Sequence, residues 1–223
     1  MPLTVLTFPP GFPQPQDKRT DPYTAIRQFS SGRSHILGLS DSGRIWSWYN
    51  IEAPALNIKF MHIDIIEPSG SGNGHVRKVI AGWDRSSAYV SGTGIVLWSP
   101  ITHVSNQERE ADTMLITETN VIPQTSFLRP QRQGRYADEE TNRLGEEIGE
   151  ITNWIVLEHF AVLVTDKQKL FAFDLRKADT SFLFELSSLQ CTSDKDLTPC
   201  AKDVQGSFHS FVCLLYTSPS PRD

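Results

Sequence analysis

Residues 26–50, IRQFSSGRSHILGLSDSGRIWSWYN, and residues 76–100, VRKVIAGWDRSSAYVSGTGIVLWSP, are two copies of one plan. Gly32 corresponds to Gly82, and sixteen residues after each stands a tryptophan, Trp48 or Trp98, while the intervening glycine, Gly43 or Gly94, is displaced by one. Each copy begins with an apolar approach to a glycine turn and continues into a short apolar strand. A polar turn follows, Ser40-Asp41-Ser42-Gly43 or Ser91-Gly92-Thr93-Gly94, and then a second strand. That succession predicts a β-hairpin. Because side chains alternate along a strand, Trp46 and Trp48 fall on one face and Ile45 and Ser47 on the other.

Working outward, residues 148–175 form a degenerate third copy with Leu157 at the glycine position, Phe171 at that of Trp46 and Phe173 at that of Trp48. A fourth starts at Ala201, where AKDVQGSFHSF aligns Gly206 with Gly32 and His209 with His35, and it ends after one strand. Anchors at 32, 82, 157 and 206 are 50, 75 and 49 residues apart, so the period is near fifty with one long insertion. Such a unit cannot cover both of its own faces, and stacked neighbours must do so. The repeat therefore implies an all-β fold of stacked units, as in propellers and solenoids, and of these the expectation is a partial β-propeller of about four blades.

The domain plan expected is a Pro-rich segment at 1–25, a partial propeller over 26–213 with repeats near 26–50, 76–100, 148–175 and 201–213, and an insertion at 101–147. Within and after that insertion, Leu144, Ile148 and Ile151 have helical spacing in an acidic run, which predicts one short amphipathic helix over 138–151. The stretch 68–74, PSGSGNG, reads as a flexible linker.

Composition narrows the function classes. The 223 residues are 39% hydrophobic and 10% aromatic, enough for a core. The net charge of -5 comes with no basic block, so neither nucleic acid nor a membrane surface is an expected partner. Three cysteines, Cys191, Cys200 and Cys213, show no C-x-x-C spacing, which favours thiols in the cytoplasm or nucleus over a disulfide framework or zinc. Pro9, Pro10 and Pro13 break the N-terminal apolar run and exclude a signal peptide.

No catalytic constellation is readable, and the expectation is a protein without enzymatic activity, cofactor or metal. His35 and His209 adjoin Ser34 and Ser210, but as repeat positions they read as structural, and no third group or oxyanion site completes a triad. Gly70, Gly72 and Gly74 lack the Lys-Ser/Thr of a phosphate loop. Glu139, Glu140, Glu146, Glu147 and Glu150 lack the ligand spacing and glycine of a calcium loop. The repeat positions singled out as structural are Gly32, His35, Gly43, Trp46, Trp48, Gly82, Gly94, Trp98, Phe171, Phe173, Gly206 and His209.

Gly32, His35, Asp41, Gly43, Ile45, Trp46 and Trp48 carry a pattern that resembles the repeat of the regulator of chromosome condensation family. DPYTAIRQFSSGRSHILGLSD, PALNIKF and AGWDRSSAYVSGTGIVLW are similar to fungal F-box proteins bearing these repeats, the SCF-associated factor group. The resemblance covers most of residues 21–213 and is poorest over 101–147. It implies a seven-bladed propeller that recruits a protein substrate, joined to an F-box that docks a Skp-type adaptor of a cullin ubiquitin ligase. No segment before Ile26 reads as the three helices of an F-box, so adaptor docking is not expected of these residues. The alternative implied by the founding family member is a guanine-nucleotide exchange factor or chromatin-associated propeller. Residues 214–223, LLYTSPSPRD, resemble translated sequencing adapter and place two prolines where a strand is due, so they are expected to be a non-native tail.

Overall fold

The computed structural model describes residues 4–17, 20–66, 73–99, 113–116, 118, 120–123, 125–127, 147–176, 183–186 and 200–216. The chain divides into two compact units, Met1–Pro123 and Gln124–Asp223. Among the described residues the regular structure is entirely β, with no helix and hence none long and apolar enough to cross a membrane.

In the first unit, β1 (Ile26–Ser31), β2 (Ile36–Ser40), β3 (Ile45–Trp48) and β4 (Leu56–Phe60) form an antiparallel meander. A second antiparallel sheet follows from β5 (Val76–Ala81), β6 (Ser86–Val90) and β7 (Gly94–Trp98). The chain then returns to both edges. β8 (Thr113–Ile116) pairs parallel with β4, and β9 (Asn120–Pro123) pairs antiparallel with β7. Residues read from sequence as insertion thus finish both sheets and cover edges that would otherwise invite pairing.

The second unit repeats the meander with β10 (Thr125–Phe127), β11 (Glu147–Val156), β12 (Phe160–Thr165), β13 (Leu170–Asp174) and β14 (Leu183–Glu185). A hairpin of β15 (Cys200–Ser207) and β16 (Ser210–Tyr216) lies beside it.

Two expectations change here. The helix is not formed over its described part: Ile151 lies in β11 and pairs with Thr165, because cross-strand pairing overrides a local spacing that suits either structure. Residues 138–146, including Leu144, lie outside the described residues. The fourth repeat does not stop after one strand, and Leu214, Leu215 and Tyr216 of the expected tail pair with Asp203, Ala201 and Cys200. Residues 217–223 lie outside the described residues.

The repeat has a backbone signature. Each inner hairpin breaks register at one place, between Ile26 and Gln28, Val76 and Lys78, Ile151 and Asn153, and Ala201 and Asp203. The extra residues, Arg27, Arg77, Thr152 and Lys202, are spaced 50, 75 and 50 apart. A bulge bends its strand and increases local twist, and here it recurs at the same place in every inner hairpin. Counted from it, Ser207 rather than Gly206 corresponds to Gly32. Gly206 lies within β15 opposite Phe211, where a Cβ would come within 2.5 Å of the Ser210 carbonyl oxygen.

Packing follows the expected alternation. Leu37, Leu39, Ile45 and Ile58 from the first sheet meet Val79, Ala88, Val96 and Trp98 from the second. Ile155, Val162 and Val164 in the second unit meet Ala201 and Val204. Trp48, Trp98 and Phe173 hold one register position, opposite Ile36, Ser86 and Ala161, and all three are buried.

Candidate functional site

Each inner hairpin turns at the same end of its sheet. In the first unit the Gly32 N–H donates to the His35 carbonyl at 2.9 Å, and the Gly82 N–H donates to the Arg85 carbonyl at 2.8 Å. The two turns touch: a Cβ on Gly32 would collide with the Gly82 carbonyl, so only glycine permits this approach. In the second unit the Leu157 N–H donates to the Phe160 carbonyl at 2.8 Å, and β15 reverses more tightly through Phe208 and His209.

His35 is a structural post between sheets. It is 3% exposed, its Nε2 lies 2.6 Å from the Ser86 hydroxyl, and its ring stacks on Tyr49 at 5.8 Å. Burial pushes its pKa down to about 4, leaving a neutral imidazole at pH 7. The His–Ser pair therefore lies inside the packing, where a substrate has no access.

Beside it, the innermost strands are joined by side chains that imitate a β-ladder. Gln28 Nε2 donates to the Val79 carbonyl at 3.0 Å, and the Val79 N–H donates to Gln28 Oε1 at 3.1 Å. Ser30 Oγ accepts the Ala81 N–H at 2.9 Å. Asn153 takes the place of Gln28 in the second unit, donating to Asp203 and, at 3.5 Å, to the Val204 carbonyl. These cross-sheet side chains satisfy backbone groups of β5 and β15, each of which has one partner strand among the described residues.

What this scaffold displays differs between units. In the first, Arg33 is exposed with its guanidinium 4.5 Å from the Trp83 ring centroid, next to exposed Asp84 and half-buried Arg85. In the second, Glu158 Oε2 lies 3.0 Å from His209 Nδ1 and 3.6 Å from His159 Nε2, and the Glu158 N–H donates to the Phe208 carbonyl at 2.9 Å. His209 is exposed, whereas His35, with which sequence aligned it, is buried. The bulge register instead places Ser210 opposite His35 in the repeat.

The remaining repeat positions fall as follows. Trp46, Trp48, Trp98, Phe171 and Phe173 are core. Gly43 adopts φ 81° in its turn, whereas the second copy uses two glycines, Gly92 at φ 80° and Gly94 at φ 114°, and Gly94 also pairs with Val90 at the start of β7. In the third copy Gln168, at φ 59°, stands where Gly43 does. Among the described residues, no group of three or more His, Cys, Asp or Glu side chains is placed to hold a metal ion. The Cys213 thiol is half-buried, and burial followed by the nearby Asp203 carboxylate raises its pKa. Gly70 and Gly72, and Glu139, Glu140 and Glu146, lie outside the described residues. Sequence reasoning missed the Arg33–Trp83 pair, although a one-residue offset from each anchor glycine to a large side chain was visible in both copies.

No family model and no curated protein matches this chain. A solved structure does. The crystal structure of human WBSCR16 superposes with a TM-score of 0.51 at 11% identity, covering 88% of this chain and 47% of that one. The chain thus spans about half the length of that protein. At this identity the likeness speaks for the fold alone, an all-β fold of several antiparallel sheets, and it is consistent with a β-propeller-like arrangement.

Proposed function

We propose that the chain is a non-catalytic protein-binding scaffold, built of about four blades of the regulator of chromosome condensation type, that recruits substrate for an SCF-type ubiquitin ligase. The observation that carries the binding reading is the rim of the first unit. Two turns locked together through Gly32, Gly82 and the His35–Ser86 bond hold Arg33 and Trp83 outward on a rigid base. An exposed Arg stacked on a half-buried Trp on a rigid frame brings together residue types that dominate protein-binding energy. The ligase assignment rests on the resemblance of DPYTAIRQFSSGRSHILGLSD, PALNIKF and AGWDRSSAYVSGTGIVLW to fungal F-box proteins bearing these repeats. A Skp-type adaptor would engage only an F-box, and the surface described here would hold the substrate. Its expected partners are proteins of the cytoplasm or nucleus, in keeping with a net charge of -5.

Photo-crosslinking tests this reading. A benzophenone side chain replaces Trp83 in one preparation and exposed Met61 in another, and captured proteins are examined for ubiquitin remnants. The expected result is capture at 83 but not 61 of proteins that carry ubiquitin and are lost in the Arg33→Ala chain. Capture of a guanine-nucleotide-binding protein without ubiquitin would favour the exchange-factor alternative, and equal capture at both positions would overturn both.

A further inference from the structure

The Pro-rich N-terminal segment packs on the aromatic face of the first sheet. Phe8 is buried among Trp46, Trp48 and Ala55, with Leu6, Phe12, Ile26 and Ile36 packed around. Its ring meets Trp46 edge-on at 5.3 Å and Trp48 at 5.6 Å, and Phe12 meets Trp46 at 5.3 Å. The Thr7 carbonyl accepts two bonds, from Trp48 Nε1 and from the Ala55 N–H, both at 2.9 Å. The segment also holds its own shape. Gln14 Nε2 donates to the carbonyls of Phe8, at 3.0 Å, and Phe12, at 3.1 Å, while its Oε1 accepts the Phe8 N–H at 3.0 Å. Gly11 supplies the positive φ of 96° that reverses the chain between the two rings.

The second sheet shows what normally fills this place. Trp98 holds the register position of Trp48, and it is covered by Phe60 of β4 at 5.2 Å with rings 68° apart. The corresponding values for Phe8 on Trp48 are 5.6 Å and 66°. Phe8 therefore does for the first sheet what the outer strand of its neighbour does for the second. It does so from a preorganised loop held on the sheet by two rings and one carbonyl. A groove that recognises two aromatic rings, one carbonyl and a proline-constrained backbone has the chemistry of a proline-rich peptide site.

We infer that the outward face of the first sheet, formed by Trp46, Trp48 and Ala55, is a binding site for Phe-Pro-Pro-x-Phe type segments, occupied in cis by residues 6–12 and open to the same chemistry in trans. Preorganisation of the loop lowers the entropy lost on seating, so a detached segment retains affinity.

The test inserts a site-specific protease sequence after Asp17 in the full chain, cuts it, and adds a fluorescent synthetic peptide of residues 4–17. The expected result is that the cut segment co-elutes with the body, that the labelled peptide exchanges into the cut chain at least tenfold more readily than into the uncut one, and that a peptide with Phe8 and Phe12 replaced by Ala does not exchange. The uncut Phe8→Ala chain is a second host and should bind the wild-type peptide with a blue shift of tryptophan emission. Equal binding of the Ala peptide overturns the inference. So does loss of the segment on cutting with unchanged tryptophan emission, or failure of both hosts to take up the peptide.

Discussion

Protonation of His35 should unfasten the first unit in acid. The folded state holds the imidazole neutral with a pKa of about 4, against about 6.5 in the unfolded chain. Because the folded value is the depressed one, the unfolded chain takes up the proton first as pH falls. The contribution is therefore complete above about 6.5 and is lost between there and 4. At pH 4.5 the linkage amounts to about 2–3 kcal/mol relative to pH 7.5. Carboxylates titrate in the same range, so the informative quantity is the difference between wild type and His35→Gln, which keeps a donor to the Ser86 hydroxyl but has no proton to gain. At pH 7.5 the variant should be less stable by about 1–2 kcal/mol, from imperfect replacement of a buried bond. In urea denaturation followed by tryptophan emission, the gap should close and reverse as pH falls to 4.5. A difference that stays constant within about 0.5 kcal/mol across that range would refute the buried, neutral assignment, given how well linked pKa values predict such slopes.

Other outcomes follow from the same geometry. Gly32→Ala should cost about 2–3 kcal/mol, the scale of overpacking, because its Cβ meets the Gly82 carbonyl, and thermal unfolding would register it. Gln168→Gly should stabilise by about 0.5 kcal/mol in urea, since relief of a left-handed φ slightly exceeds the entropy glycine adds to the unfolded chain. Trp98→Ala removes a fully buried ring packed on Phe60 and should cost about 3–5 kcal/mol by the same measurement. Val212 and Leu214, 75% and 57% exposed, stand where Val162 and Val164 are buried one repeat earlier. Replacing both by Lys should therefore reduce concentration-dependent association in sedimentation velocity.

The hairpins and the aromatic face were legible because period-2 alternation and turn residues are local signals, and Trp48, Trp98 and Phe173 occupy the register that spacing implied. The bulges at Arg27, Arg77, Thr152 and Lys202 were not, since no residue type marks them; without them, Gly206 drew the fourth alignment one residue out of step. The return of β8 onto β4 is a parallel, non-local pairing that no window of sequence contains. At the site, the anchor glycines pointed to the turns, but Gln28 and Asn153 read as ordinary strand polars until the neighbouring backbone was in place. Pro9 and Pro10 marked a loop and masked the aromatic anchors beside them, Phe8 and Phe12, which the Gln14 amide holds in one compact turn.

The central structural claim is that, within the first unit, two successive fifty-residue repeats pack sheet against sheet through their innermost strands, and disulfide trapping tests it most directly. Ser30 Oγ sits 2.9 Å from the Ala81 amide, so a Ser30→Cys, Ala81→Cys chain under mild oxidation should form an intramolecular 30–81 bridge. Peptide mapping should find that bridge in the double variant and in neither single variant. Failure to bridge in the folded monomer, or bridging only between molecules, would contradict the account.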